Sequence, residues 1–94
     1  MPSEMYNSAH PGLVSRDYLE GHNITHVAKR IGVSRVTLSK ILNSRTGITA
    51  DMSLRLSAAL ETNPSFWFDM QSNYDMWQAR SRKRPRIRPL KIAA

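Results

Sequence analysis

The chain has 94 residues, 40% of them hydrophobic and 22% charged, the makeup of one small globular domain. It contains no cysteine, which excludes a disulfide framework, a CxxC redox pair and a thiolate zinc site, and no apolar run approaches the roughly 20 residues of a membrane span. The formal charge of +7 is unevenly placed: residues 1–75 hold seven basic and seven acidic residues, whereas residues 76–94 hold seven basic residues and no acidic one.

Residues 1–9 read as a polar, flexible lead without the layout of a secretory signal, so the cytoplasm is the expected location. His10-Pro11-Gly12 opens a first helix to about Gly21, with Pro11 suited to its first turn and Val14, Tyr18 and Leu19 as its apolar stripe. Asn23 is placed to cap a second helix from Ile24 to about Ile31, buried through Ile24, Val27, Ala28 and Ile31. Gly32-Val33 makes a tight turn, and Ser34 caps a third helix that runs to Asn43 with Leu38, Ile41 and Leu42 inward. After the polar loop Ser44-Arg45-Thr46-Gly47, Thr49 caps a fourth helix. Its first turn carries Asp51, the right sign for the helix dipole, and its stripe is Met52, Leu56, Ala59 and Leu60.

Asn63-Pro64 interrupts the chain, and a fifth helix follows from about Pro64 to Ser81. Trp67, Met70, Tyr74 and Trp77 step along it at helical spacing as a packing face. Beyond Lys83, Pro85 and Pro89 exclude a helix. The expected fold class is therefore all-α, with five helices over residues 10–82. Residues 83–94 are expected as an extended basic arm, ordered only where it finds a partner.

The second and third helices are short and joined by a turn of only a few residues, the layout of a helix-turn-helix. Ala28 is small enough for a close crossing, Gly32 supplies the positive φ that so tight a turn favours, and Leu38 and Ile41 fix the crossing from the third helix. At about 100° per residue, Val36, Lys40 and Asn43 fall opposite Leu38, with Ser39 between. That outer face offers tools for base edges. Arg35 can pair with guanine, Val36 can pack on a thymine methyl, Lys40 can reach guanine or phosphate, and Thr37 and Ser39 can bond to either. Asn23 and Ser34 stand at helix N-termini, which favour phosphate, and Asn43 and Arg45 follow the third helix. Between Glu20 and Asp51 the chain has five cations, Lys29, Arg30, Arg35, Lys40 and Arg45, and no carboxylate. A surface that meets phosphates requires that balance.

These residues resemble the HigA antitoxins, also called VapI, of type II toxin–antitoxin modules, which have lambda-repressor-like helix-turn-helix folds of five helices. The resemblance spans roughly residues 10–80. It rests on His10-Pro11-Gly12, on Ala28 with Gly32-Val33-Ser34-Arg35 and Leu38-Ser39-Lys40-Ile41-Leu42-Asn43, and on Ile48 through Leu56. It continues through Pro64-Ser65-Phe66-Trp67-Phe68 to Gln71 and Tyr74 through Arg80. It implies a dimeric antitoxin that binds double-stranded operator DNA, represses its own operon and neutralises a RelE-like, mRNA-cleaving toxin of the HigB type. By position, Arg35, Val36, Thr37 and Lys40 would face bases, with Asn23, Ser34, Ser39, Asn43 and Arg45 at or near phosphates. His26 departs from the family, which often has an acidic residue there, and the arm after Arg80 has no fixed family pattern.

A stand-alone repressor of the same fold would carry the same DNA-facing residues, so the chain alone does not separate the two readings. An enzyme finds no support: HExxH, GxSxG, a Gly-rich phosphate loop and paired carboxylates are all missing. His22 and His26 span a helix boundary without a third ligand, and no metal or cofactor is expected. The arm lacks an aromatic side chain to stack on a base, which weakens an RNA-binding reading. Dimerisation is expected because one helix in one groove reads few base pairs. Phe66, Phe68, Met76 and Trp77 on the fifth helix are the expected interface.

Overall fold

The computed structural model describes residues 10–91; the lead expected at residues 1–9 and the last three residues of the arm lie outside them. Five helices follow in order: α1 (Pro11–Tyr18), α2 (Ile24–Ile31), α3 (Arg35–Leu42), α4 (Ala50–Leu60) and α5 (Phe66–Arg80). There is no strand among the described residues.

Local chemistry sets most helix starts. Asn23, Ser34 and Thr49 each accept the backbone N–H three residues on, from His26 at 3.1 Å, Thr37 at 3.0 Å and Met52 at 3.1 Å. Each such cap stabilises by about 1 kcal/mol. α1 has a cap that composition does not suggest: His10 Nδ1 accepts the Gly12 N–H at 2.9 Å.

α1 is shorter than the sequence implies and buries a different face. It ends at Tyr18, because Leu19 turns into the core, where it is buried, and Gly21 takes φ 89° to redirect the chain. The buried residues of α1 are Pro11, Gly12 and Ser15, while Tyr18 stays largely exposed and Val14 half-buried. Gly12 explains the rotation. Its backbone lies so close to the Ile41 carbonyl that any Cβ would collide with it, so the small side of α1 must face α3.

The core joins Leu19, Val27, Ala28, Ile31, Leu38, Ile41, Leu42, Ile48, Met52, Leu56 and Trp67. Ala59, expected inward on α4, is exposed. The inward α4 positions are instead partly polar: Ser53 and Ser57 are buried. Their hydroxyls donate at 2.8 Å to the carbonyls of Pro64 and Asn63, and Ser53 also accepts the Phe68 N–H. That pairing, with Asn63 Oδ1 accepting the Ser65 N–H, holds residues 63–65 as a turn, so α5 begins at Phe66 rather than Pro64. After α5, residues 83–91 carry neither helix nor strand and are exposed throughout.

Candidate nucleic-acid interface

The α2–turn–α3 unit is fixed from both sides. Gly32 ends α2 at φ 79°, the left-handed region that glycine enters without cost, and Val33 N–H closes the turn on the Ala28 carbonyl at 3.0 Å. From α4, Arg55 Nη1 donates to the Ile31 carbonyl at 2.7 Å, while its Nε pairs with Asp51 at 2.8 Å. The Arg55 guanidinium would lie 2.8 Å from a Cβ at position 32, a second reason for glycine there. Leu38, Ile41 and Leu42 are buried beneath α3 as the helical spacing implies.

Opposite them, Val36 is 64% exposed, and Arg35, Thr37 and Lys40 are also exposed. Arg35, Val36, Ser39, Lys40, Asn43 and Arg45 line one shallow, open groove along α3. A guanidinium, an ammonium, a hydroxyl and a methyl-bearing side chain on one helix face can read base edges and hold phosphates at once.

Four of the five expected phosphate contacts have side chains engaged inside the chain: Asn23 Oδ1 accepts the His26 N–H at the start of α2, and Ser39 Oγ accepts from Asn43 Nδ2 at 3.2 Å. Ser34 Oγ accepts the Thr37 N–H and donates to Thr37 Oγ1 at 2.9 Å. Asn43 Nδ2 donates to the Ser39 carbonyl, and its Oδ1 accepts from Arg16 Nη2 at 2.8 Å. Arg16, which sequence reasoning passed over, therefore stands at the end of α3. Nothing local announces it, since its partner lies 27 residues away. The chain leaves α3 through Ser44 at φ 60°, with Arg45 N–H bonded to the Lys40 carbonyl at 2.8 Å, which turns Arg45 back toward the groove.

Behind this loop, Ile48 N–H donates at 2.8 Å to Gln71 Oε1, a buried bond from α5. At the start of α1, partial burial lowers the pKa of His10 below 6.5, opposed by the nearby Asp75 carboxylate. His22 and His26 are exposed, and among the described residues no group of three or more His, Asp or Glu could hold a metal ion.

The four α5 side chains expected at an interface differ in exposure. Phe66 is half-buried beside Trp67 and Tyr18, with ring centroids 4.8 and 6.2 Å away, and Trp77 is half-buried against Tyr74 at 5.8 Å. Phe68 and Met76 stay open to solvent at 41% and 54%. Among the described residues no helix is long and apolar enough to cross a membrane.

A family model described as helix-turn-helix matches residues 16–67. Virulence-associated protein A' of Dichelobacter nodosus is 39% identical over 92 residues, covering 95% of this chain and 80% of that protein. Antitoxin HigA-1 of Vibrio cholerae is 37% identical over 68 residues, 70% of this chain and 64% of that protein. The Pseudomonas aeruginosa antitoxin HigA, solved with the higBA promoter, superposes with a TM-score of 0.74 at 32% identity, over 78% of this chain and 83% of that one.

Proposed function

The chain belongs to the helix-turn-helix family, and we propose that it is a sequence-specific DNA-binding antitoxin that represses its own operon. The observation that carries the reading is the groove along α3, where Arg35, Val36, Ser39, Lys40, Asn43 and Arg45 stand together on one face. Likeness to a HigA antitoxin solved with its promoter supports it. In this reading Arg35, Val36, Thr37 and Lys40 meet base edges. Asn23, Ser34, Ser39 and Arg45 meet the phosphates that flank them, while Asn43 meets them through the Arg16 guanidinium that it holds.

The same reading makes the protein the partner of a RelE-like, mRNA-cleaving toxin, and a homodimer whose two copies of α3 read half-sites one turn apart. Charge reversal at Lys40, which is exposed and contributes nothing to the core, tests the DNA part. Lys40→Glu is expected to abolish a mobility shift on DNA from the protein's own promoter while leaving the thermal midpoint unchanged. Wild-type affinity in that variant would remove α3 as the recognition helix. Pull-down of the tagged protein from its own cells tests the toxin. A small protein recovered in near-equal amount establishes the antitoxin, and promoter DNA recovered without one leaves a stand-alone repressor.

A further inference from the structure

The basic arm has a definite point of departure. α5 runs antiparallel to α1: its first turn lies at the end of α1, where the Trp67 ring is 5.1 Å from Tyr18. Two turns on it reaches the start of α1, where Tyr74 is 4.7 Å from His10. The start of α1 is itself packed on the end of α3, through Gly12 against the Ile41 carbonyl. The C-terminal end of α5 therefore leaves the body past the start of α1, where Gly12 packs on Ile41 of α3.

From there the chain stands away from the body. Its radius of gyration is 16.9 Å, against about 13 Å for a compact chain of this size. Residues 83–91 can span up to about 30 Å, close to the roughly 34 Å of one duplex turn. Arg86, Arg88 and Lys91 follow along it as exposed cations. Arg84 closes α5, since its Nη1 donates to the Ala79 carbonyl at 2.8 Å. Among the described residues the single ion pair is Asp51–Arg55, so no carboxylate of the body neutralises the arm.

We propose that residues 82–91 form a second DNA-binding element, a cationic arm that lies along the phosphates of the duplex next to the half-site read by α3. The inference rests on the reading of α3 as a DNA-binding helix. A row of like charges without a carboxylate or an aromatic ring suits a polyanion of regular spacing. Pro85 and Pro89 remove two N–H donors that pairing with another protein's sheet edge would use, whereas side-chain contact with phosphates needs neither.

The test is the full-length Arg86→Gln, Arg88→Gln, Lys91→Gln variant, which spares Arg84 and so the end of α5. Affinity is measured against salt on a promoter duplex and on a scrambled one of equal length, with hydroxyl-radical footprints on the promoter. Each phosphate contact adds about 0.9 to the slope of log affinity against log salt. The variant's slope is expected to be shallower by about 2 to 3 on both duplexes, with protection lost outside the half-sites and kept within them. Unchanged slopes and footprint overturn the proposal and leave an acidic protein surface as the arm's partner. Lys40→Glu separates the two readings, because at salt low enough for non-specific binding it should bind promoter and scrambled duplex alike and keep the arm's share of the slope. Should the wild type show no promoter preference, the operator reading falls. The arm then stands or falls on whether the slope on scrambled DNA drops in the triple variant.

Discussion

Single residues decide how the helices start, stop and join, and they differ in how far the sequence exposes them. Gly32 was legible because a positive φ between two short helices leaves few other choices. Ser44 at φ 60° and Glu61 at φ 57° were not, since neither residue type marks a left-handed position and each is held there by the helix end it closes. His10 belongs with them: it caps α1 only as a neutral imidazole, because Nδ1 must accept the Gly12 N–H. Burial lowers its pKa below 6.5, so below that pH the unfolded chain takes up a proton that the folded chain resists. Its contribution to stability is thus complete above pH 6.5 and is lost as pH falls through the lowered value. His10→Asn keeps a capping acceptor and removes the titration. Thermal midpoints of wild type and variant at neutral and mildly acidic pH should show a smaller acid-induced drop in the variant; equal drops would place the acid sensitivity elsewhere.

At the scale of elements, the second and third helices followed from cap and stripe and the fourth from its cap, because Asn23, Ser34 and Thr49 act on their own next turn. The outward set on α3 was legible for the same reason, as helical spacing alone separates Val36 and Lys40 from Leu38 and Ile41. What sequence spacing could not provide was contact between distant elements. The facing of α1 depends on Gly12 meeting Ile41, and the inward side of α4 on Ser53 and Ser57 meeting the carbonyls of residues 63 and 64. Arg16 at Asn43 and Gln71 at Ile48 are further cases, 27 and 23 residues apart. Gln71 ties α5 to the loop that follows α3, so Gln71→Leu should strand the buried Ile48 N–H. An unsatisfied buried donor costs about 1–3 kcal/mol. Chemical denaturation should register that loss, and hydrogen exchange should speed at the Ile48 amide before the α3 amides. Unchanged stability would mean that the loop finds another acceptor.

At the scale of the whole molecule, charge and apolar surface are divided between parts. The cationic excess lies in the arm, the body through residue 75 is neutral overall, and α5 keeps two large apolar side chains in water. Phe68 and Met76 lie about 12 Å apart along α5 and roughly 80° around it, so one flat surface could cover both. Phe66 and Trp77 already contact neighbouring rings within the chain, at 4.8 and 5.8 Å, which leaves the exposed pair as the larger gain from pairing. Since a single α3 reads few base pairs, the proposed operator binding needs two copies, and the exposed Phe68 and Met76 make α5 the proposed element to join them. Phe68→Glu with Met76→Glu places charges where two copies would meet without emptying the core. The double variant should keep its helical content, sediment as a monomer, and lose at least about tenfold in operator affinity, since each 1.4 kcal/mol of lost pairing corresponds to tenfold. A variant that remains dimeric would move the interface off α5, and one that is monomeric yet binds at full affinity would show that pairing is dispensable for recognition.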